Sequence, residues 1–171
     1  HNCLVGSEMC IRDSSISFDL GPIGWVFWAA FIIIAMSNAV NLTDGLDGLA
    51  AGSSTLCFSA FTVISFWAFR YPEIYQLDHA LDLAVVAVSM LGAWVGFLWW
   101  NAAPAKIFMG DTGSLSAGAA LGSISVITKN ELILLVAGGL FVLEAISVIV
   151  QVISFKLTGK RVFRMAPLHH H

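Results

Sequence analysis

Long apolar stretches with at most one charged side chain each dominate this sequence of 171 residues. Four of them approach or exceed the roughly 20 apolar residues that a helix needs to cross the hydrocarbon core of a bilayer. They are residues 23–40, 49–69, 83–100 and 132–155. A fifth stretch, residues 114–128, is shorter and rich in glycine, alanine and serine, and we expect it to cross if neighbouring helices shield it. The sequence therefore predicts an all-α, multi-pass transmembrane helical bundle of about five spans.

The composition agrees with lipid as the solvent. Hydrophobic residues make up 58% of the chain and charged residues 11%, whereas soluble domains carry about 25% charged residues. The net charge is −3 and basic residues are few, so a nucleic-acid partner is not expected. Residues 1–14 differ from everything that follows and do not fit a secretory signal. We expect residues 1–14 to be a non-native or disordered leader and residues 15–171 to be a partial transmembrane domain.

Small residues recur at four-residue spacing within the apolar stretches. The pairs are Gly48 and Gly52, Gly92 and Gly96, and Gly118 and Gly122. Such spacing lets helix backbones approach closely in lipid, where packing drives association. Any single pair can arise by chance in a glycine-rich chain, but the three together favour a packed bundle.

With five spans, the polar loops fall into two sets on opposite faces. Residues 41–48, 101–113 and 156–171 share one face, and residues 70–82 and 129–131 share the other. The first set holds Lys106, Lys156, Lys160, Arg161 and Arg164, and the second holds Arg70 and Lys129. Because basic residues concentrate on the cytoplasmic side, we predict that the first set is cytoplasmic.

The first of these loops carries polar residues three apart. They are Asn38, Asn41, Asp44 and Asp47. Helical spacing would place neighbours on one side, and carboxylates at a membrane boundary without a nearby basic residue need a partner from elsewhere or a ligand. The alternative is a solvated turn or helix cap. For Asp47 alone the two are level, whereas the set as a whole favours a functional site.

The second loop suits a nucleotide-phosphate site. Thr112 or Ser114 could cap the helix that follows, and the N–H groups at that helix start would face a nearby anion. Asp111 could contribute to a Mg²⁺ site, because Mg²⁺ often uses one or two carboxylates plus phosphate oxygens. Lys106 and Phe108 add a base and an aromatic ring. The alternatives are a membrane-interface anchor for Phe108 and a helix cap for Asp111.

The last segment ends in His169, His170 and His171, which are either the remnant of a purification tag or part of a natural loop. Glu144 is the one acid in the middle of a predicted span. Helix packing through hydrogen bonds explains it better than an ion path does.

Taken together, three motifs resemble the cytoplasmic motifs of the polyprenyl-phosphate N-acetylhexosamine-1-phosphate transferases. They are NAVNLTDGLDGLAAG, NAAPAKIFMGDTGSLSAGAALG and APLHHH. The resemblance runs from about residue 21 to residue 171. The APLHHH ending is similar to that of the members acting on UDP-MurNAc-pentapeptide, separates them from relatives that use other sugars, and argues against a tag.

The resemblance implies that undecaprenyl phosphate attacks the β-phosphate of UDP-MurNAc-pentapeptide, giving lipid I and UMP in a bacterial inner membrane, with Mg²⁺ required. By position, it implies that Asp111 binds the metal and that Asp44 and Asp47 shape the nucleotide-sugar site. It further implies catalytic or cleft-lining roles for His169, His170 and His171. The implied substrate contacts are Asn41, Asn101, Lys106, Phe108 (stacking on uracil) and Gln151.

One departure from the family pattern is the lack of an adjacent Asp-Asp pair that the family carries on an earlier span. We therefore expect the chain to be the C-terminal half of a longer enzyme and to be inactive alone. A polyprenyl-phosphate GlcNAc-1-phosphate transferase and a cation-coupled transporter are the alternatives. The sequence leaves open whether the protein forms a homodimer.

Overall fold

The computed structural model describes residues 21–170, and this part of the chain is built from helices without strands. The helices are α1 (Gly21–Thr43), α2 (Leu49–Arg70), α3 (Pro72–Tyr75), α4 (Ala80–Asn101), α5 (Gly110–Ile127), α6 (Glu131–Ala137), α7 (Gly139–Thr158) and a 3-10 turn (Leu168–His170). Four of them, α1, α2, α4 and α7, are long and apolar enough to cross a membrane. The predicted all-α multi-pass bundle is confirmed, whereas the predicted leader at residues 1–14 lies outside the described residues.

The closest helix packing joins α1 and α5, which run antiparallel. The Ser37 hydroxyl donates a hydrogen bond to the Leu115 carbonyl at 2.8 Å. A Cβ atom placed on Gly118 would lie 2.5 Å from Cα of Ser37, and one on Gly122 would lie 2.9 Å from Cα of Ile33. Only glycine therefore permits this backbone contact.

The other predicted glycine pairs do not mediate helix contacts in the described part of the chain. A Cβ atom on Gly52, Gly92 or Gly96 would meet nothing within 4 Å. Gly48 belongs to a loop, where its φ of 76° is the left-handed conformation that glycine adopts without strain. The spacing rule thus identified one true interface among three candidates.

Helix α5 differs from the fifth span that we predicted at residues 114–128. It begins four residues earlier, at Gly110, and it is not among the four helices that are long and apolar enough to cross. Its small and hydroxyl-bearing residues lower its hydropathy, and the same residues let α5 pack closely against α1. Residues buried in this way include Ser114, Ala117, Gly118 and Gly122.

The predicted span at residues 132–155 is wrong as a single helix, because the structure divides it into α6 and α7 at Gly138. Gly138 has φ −92° and ψ 20°, and a Cβ atom there would lie 2.8 Å from the Leu134 carbonyl oxygen and 3.0 Å from Cε of Met36. Adjacent glycines are a common site of helix kinks. The kink lets α6 pack against α5 and α2 while α7 packs against α1.

Side chains are distributed as expected for a protein dissolved in lipid. Phe58, Phe61 and Phe141 are fully buried between helices. Many other large apolar side chains point outward, and Trp99 and Val136 are 81% and 83% exposed. So large an apolar surface is suited to contact with membrane lipid or with other apolar helices. Trp94, in contrast, is buried and packs edge-on against Phe97.

Replacing Gly118 with alanine should destabilise the protein by about 1–3 kcal/mol, because the added methyl group meets the backbone of α1. Gly96→Ala adds the same group to α4 in open space and should leave stability unchanged or slightly raised. Thermal unfolding midpoints of the two variants, made in the protein expressed from its complete gene and held in one detergent, provide the comparison. Equal midpoints would contradict the close α1–α5 contact.

Candidate functional site

The first two motif loops are joined by the side chain of Asn101, which is 3% exposed. Its Oδ1 accepts a hydrogen bond from the Gly48 N–H at 3.0 Å, and its Nδ2 donates to the Ile107 carbonyl at 2.9 Å. Because both ends of the amide are occupied by backbone groups, Asn101 holds the loops in register. The nucleoside contact that the resemblance implies for Asn101 stays a prediction.

Asp47 makes a second connection between the same loops. Its Oδ2 accepts a hydrogen bond from the Ala105 N–H at 2.9 Å. It does not cap α2, since the residue at that position is Gly48 and no side chain caps the helix. Its carboxylate remains exposed, so a loop contact and a ligand contact are compatible.

Asn41 connects the end of α1 to the start of α5. Its Nδ2 atom donates to Asp111 Oδ1 at 3.0 Å and to Ser114 Oγ at 2.9 Å. Ser114 and Thr112, expected as alternative helix caps, lie inside α5 because the helix begins at Gly110. Asp111 thus sits in the first helical turn, where the helix dipole favours a negative charge, and Asn41 fixes the orientation of its carboxylate.

Asp44 lies close enough to Asp111 for the two charges to interact. Burial raises the pKa of Asp44 above its usual value, and the neighbouring Asp111 charge raises it further. Both causes disfavour the ionised carboxylate, so a cation placed between the two acids would relieve an unfavourable arrangement. The two carboxylates with the nearby Asn41 amide match the all-oxygen ligands of Mg²⁺, which completes its shell with water and phosphate. Within the described residues no group of three or more His, Cys, Asp or Glu side chains forms a denser metal site.

The third motif reaches the same end of the bundle through His169. Its side chain is buried, and its ring packs directly against Gly45 in the first loop, where any side chain would collide with it. Its Nδ1 lies 3.4 Å from Glu144 Oε2. The side chain of His170 and the whole of His171 lie outside the described part of the structure, so their predicted roles stay predictions.

Glu144 holds the histidine turn in place. Its Oε2 accepts a hydrogen bond from the Leu168 N–H at 2.6 Å and its Oε1 accepts one from the His169 N–H at 3.1 Å. We had interpreted Glu144 as a hydrogen-bonded packing residue. It makes hydrogen bonds as expected, but to a turn 24 and 25 residues away, and sequence spacing could not reveal that partner.

Lys106 and Phe108 lie on the outside of the second loop. The Phe108 ring is 74% exposed beside a cavity of about 390 Å³ that is also lined by Trp94, Phe97 and Met109. The ammonium of Lys106 lies 5.5 Å from the centre of the Trp100 ring, a cation–π contact. Phe108 is therefore a free aromatic face next to the acidic end of α5.

Gln151 and Asn38 do not join the convergent loops. The Gln151 amide is occupied by the backbone of Val162 and Phe163, farther along the chain. Asn38 donates to the Ile34 carbonyl within its own helix. Gln151 thus helps to fold the segment after α7, and its implied substrate contact stays a prediction.

Comparisons with known proteins identify the family of this chain. The family described as Glycosyl transferase family 4 matches residues 3–129. A phospho-N-acetylmuramoyl-pentapeptide-transferase of Streptomyces avermitilis is 55% identical over 163 residues, which are 89% of this chain and 46% of that protein. The protein of the same name from Frankia alni is 55% identical over 169 residues, 94% of this chain and 47% of its own length. The chain thus spans about half the length of the curated relatives it matches, and the resemblance seen in the motifs is confirmed.

Replacing Glu144 with glutamine should loosen the histidine turn, because an amide has one acceptor oxygen and no charge where the carboxylate bonds two N–H groups. Hydrogen bonds to a charged group contribute about 1.5–3 kcal/mol each. Hydrogen exchange at residues 160–170 should therefore quicken by about tenfold or more. Glu131→Gln removes an acid from α6 and should leave exchange in this segment unchanged. Equal exchange in both variants would refute the anchoring role of Glu144.

Proposed function

Since the chain belongs to glycosyl transferase family 4, we propose that the protein is a phospho-sugar transferase of peptidoglycan synthesis. In this reaction a phosphate oxygen of undecaprenyl phosphate attacks the β-phosphate of UDP-MurNAc-pentapeptide. The bond between the β-phosphate and the UMP oxygen breaks, lipid I forms and UMP leaves. The relatives' printed names and the APLHHH motif support this choice of sugar donor.

One observation carries the proposal: Asn41 links the first motif loop to Asp111 in the second, with the Asp44 carboxylate beside it. Phosphoryl transfer depends mainly on positioning and on neutralising charge, with little covalent work by the protein. A cluster of acids oriented by an amide at one end of an apolar bundle meets that need. The hydrogen bonds of Asn101 and Asp47 keep both loops fixed while substrates bind.

Mg²⁺ is the metal that the chemistry of this cluster favours, with Asp111 and Asp44 as its protein ligands. When bound, it would neutralise negative charge on the diphosphate and on the departing UMP. The hydrogen bond from Asn41 would keep the Asp111 carboxylate oriented toward the metal. The N–H groups in the first turn of α5 lie beside Asp111 and can donate to a phosphate oxygen.

The nucleoside would bind against Phe108. Its exposed ring offers a flat surface for stacking of uracil, next to the start of α5. Lys106, on the same loop and exposed, can contact a phosphate by leaving the Trp100 ring. His169 lies too deep for that purpose and instead shapes the floor of the site against Gly45.

The polyprenyl chain would lie in an apolar groove between α1 and the kinked pair α6–α7. This groove has a volume of about 350 Å³ and is lined from Trp28 to Ala39 on α1 and by Leu132, Leu135 and Ile146 opposite. Ala39 is five residues from Asp44, so the groove leads toward the acidic loop. A lipid held there would present its phosphate near the carboxylates.

The membrane orientation follows from charge. The loops at the acidic end carry five Lys or Arg residues and those at the other end carry two, which favours a cytoplasmic location for the site. That is the compartment where a UDP-sugar is available, and it supports a bacterial inner-membrane location. The alternative, a cation transporter, is less favoured because the acids cluster at one end and Glu144, the acid within a described apolar span, is bonded to a backbone turn.

Asp111→Asn should lower Mg²⁺-dependent UMP release by about a hundredfold or more, the usual effect of removing one group that stabilises transition-state charge. The enzyme expressed from its complete gene is assayed with undecaprenyl phosphate and UDP-MurNAc-pentapeptide. Asp82→Asn, at the opposite end of α4 and exposed, is the matched control and should retain full activity. Near-normal activity of the Asp111 variant, with an unchanged unfolding midpoint, would remove Asp111 from the mechanism.

The sugar donor is tested by offering UDP-MurNAc-pentapeptide and UDP-GlcNAc in turn to the same enzyme. We expect kcat/KM for the first to exceed that for the second, since the APLHHH motif separates the two groups of relatives. A preference for UDP-GlcNAc would overturn the donor assignment and leave the transferase assignment standing. Cation flux into liposomes without UMP release would overturn both.

A further inference from the structure

Four basic side chains cluster in the last turn of α7 and just after it, in a stretch that we name the basic segment (residues 156–166). They are Lys156, Lys160, Arg161 and Arg164, and all four are exposed. Residues 145–170 contain no Asp or Glu. The ion pairs found among the described residues, His79–Asp82 and His169–Glu144, do not include any of the four. The chain therefore concentrates positive charge here without neutralising it locally.

The basic segment has a defined conformation. Gln151 Oε1 accepts hydrogen bonds from the N–H groups of Val162 at 3.1 Å and Phe163 at 2.9 Å, and its Nε2 donates to the Phe163 carbonyl at 3.0 Å. The Ser154 hydroxyl donates to the Lys160 carbonyl at 3.0 Å. These bonds fold the segment back along α7, so its cations are held near one another before any ligand arrives.

The folded segment and α7 enclose a cavity of about 360 Å³ with two kinds of wall. Lys156, Arg161 and Arg164 supply the charged part, and Val152, Phe155 and Met165 supply an apolar part. Such a site fits a ligand that has an anionic head and an apolar body. A small soluble anion would leave the apolar wall without a partner.

None of the residues that line this cavity belongs to the first two motif loops, which distinguishes it from the candidate site. Lys156 lies twelve residues beyond Glu144 on the same helix, which corresponds to about 18 Å of helix length. The outward side chains of α7 near the cavity are apolar, with Phe155 54% and Leu157 80% exposed. The cations thus lie at and beyond the C-terminal end of a helix whose outward side chains are apolar.

We propose that the basic segment binds the headgroup of an anionic phospholipid in the leaflet that holds the acidic loops. Lys and Arg clusters next to a membrane span are attracted to anionic lipids by about 1 kcal/mol per residue. The phosphate of a polyprenyl phosphate has the same chemistry, but the apolar groove beside α1 is a separate cavity that shares no lining residue with this one, which favours a membrane phospholipid here. This role is independent of the reaction proposed above.

The test measures lipid selectivity in the protein expressed from its complete gene. The purified protein is equilibrated in detergent with equal amounts of phosphatidylglycerol and phosphatidylcholine, and bound lipids are counted by native mass spectrometry. Arg161→Gln combined with Arg164→Gln should reduce the preference for phosphatidylglycerol by about five- to thirtyfold. Both side chains are exposed, so the double variant should fold normally, and its unfolding midpoint checks this.

Two matched variants make the result specific. Arg70→Gln combined with Lys129→Gln removes two charges at the opposite end and should leave the preference intact. Arg161→Lys combined with Arg164→Lys keeps the charges and should also retain it. An unchanged preference in the glutamine variant would overturn the proposal. If the same variant, with its preference unchanged, also raised the KM for undecaprenyl phosphate, the site would be assigned to that substrate instead.

Discussion

The backbone contact between α1 and α5 is the constraint on which the rest of the structure depends. Gly118 and Gly122 let the two helices meet without intervening side chains. In lipid, where burial of apolar surface gives little net gain, such close packing is a principal source of helix association. Asn41 lies in the last turn of α1 and Asp111 lies in the first turn of α5. The same contact therefore determines how far apart these two side chains lie.

Polar side chains then connect segments that the helix packing brings close together. Asn101, Asp47 and Glu144 each bond to backbone groups of a different segment. At the edge of a low-dielectric region these bonds are stronger than they would be in bulk water, and leaving one partner unpaired would be costly. Residues that a motif comparison assigns to substrate binding can thus serve first to build the surface that substrates meet.

Much of the architecture could be predicted from the sequence because lipid imposes a simple rule on length and polarity. The four long apolar stretches and the shared location of the first two motif loops follow from that rule and from chain parity. The kink at Gly138 could not be predicted, since Gly-Gly also occurs in continuous helices and the cause lies partly in Met36, about a hundred residues earlier.

The sequence predicted which loops form the candidate site better than it predicted the contacts that each residue makes there. The loops that carry Asp44, Asp111 and His169 were identified, whereas the bond partners of Asn101, Gln151 and Glu144 were not. An amide or carboxylate in a loop has the same sequence signature whether it faces a ligand or a distant backbone N–H. Only the fold decides between them.

The opening of the groove beside α1 has a kinetic consequence for any tailed substrate. Phe31 and Leu132 line it and are 62% and 67% exposed, so the groove is open sideways along much of its length. A polyprenyl molecule could enter by lateral diffusion without leaving the leaflet. Encounter frequency would then scale with the number of such molecules per unit of membrane area, and diluting the aqueous phase would leave it unchanged.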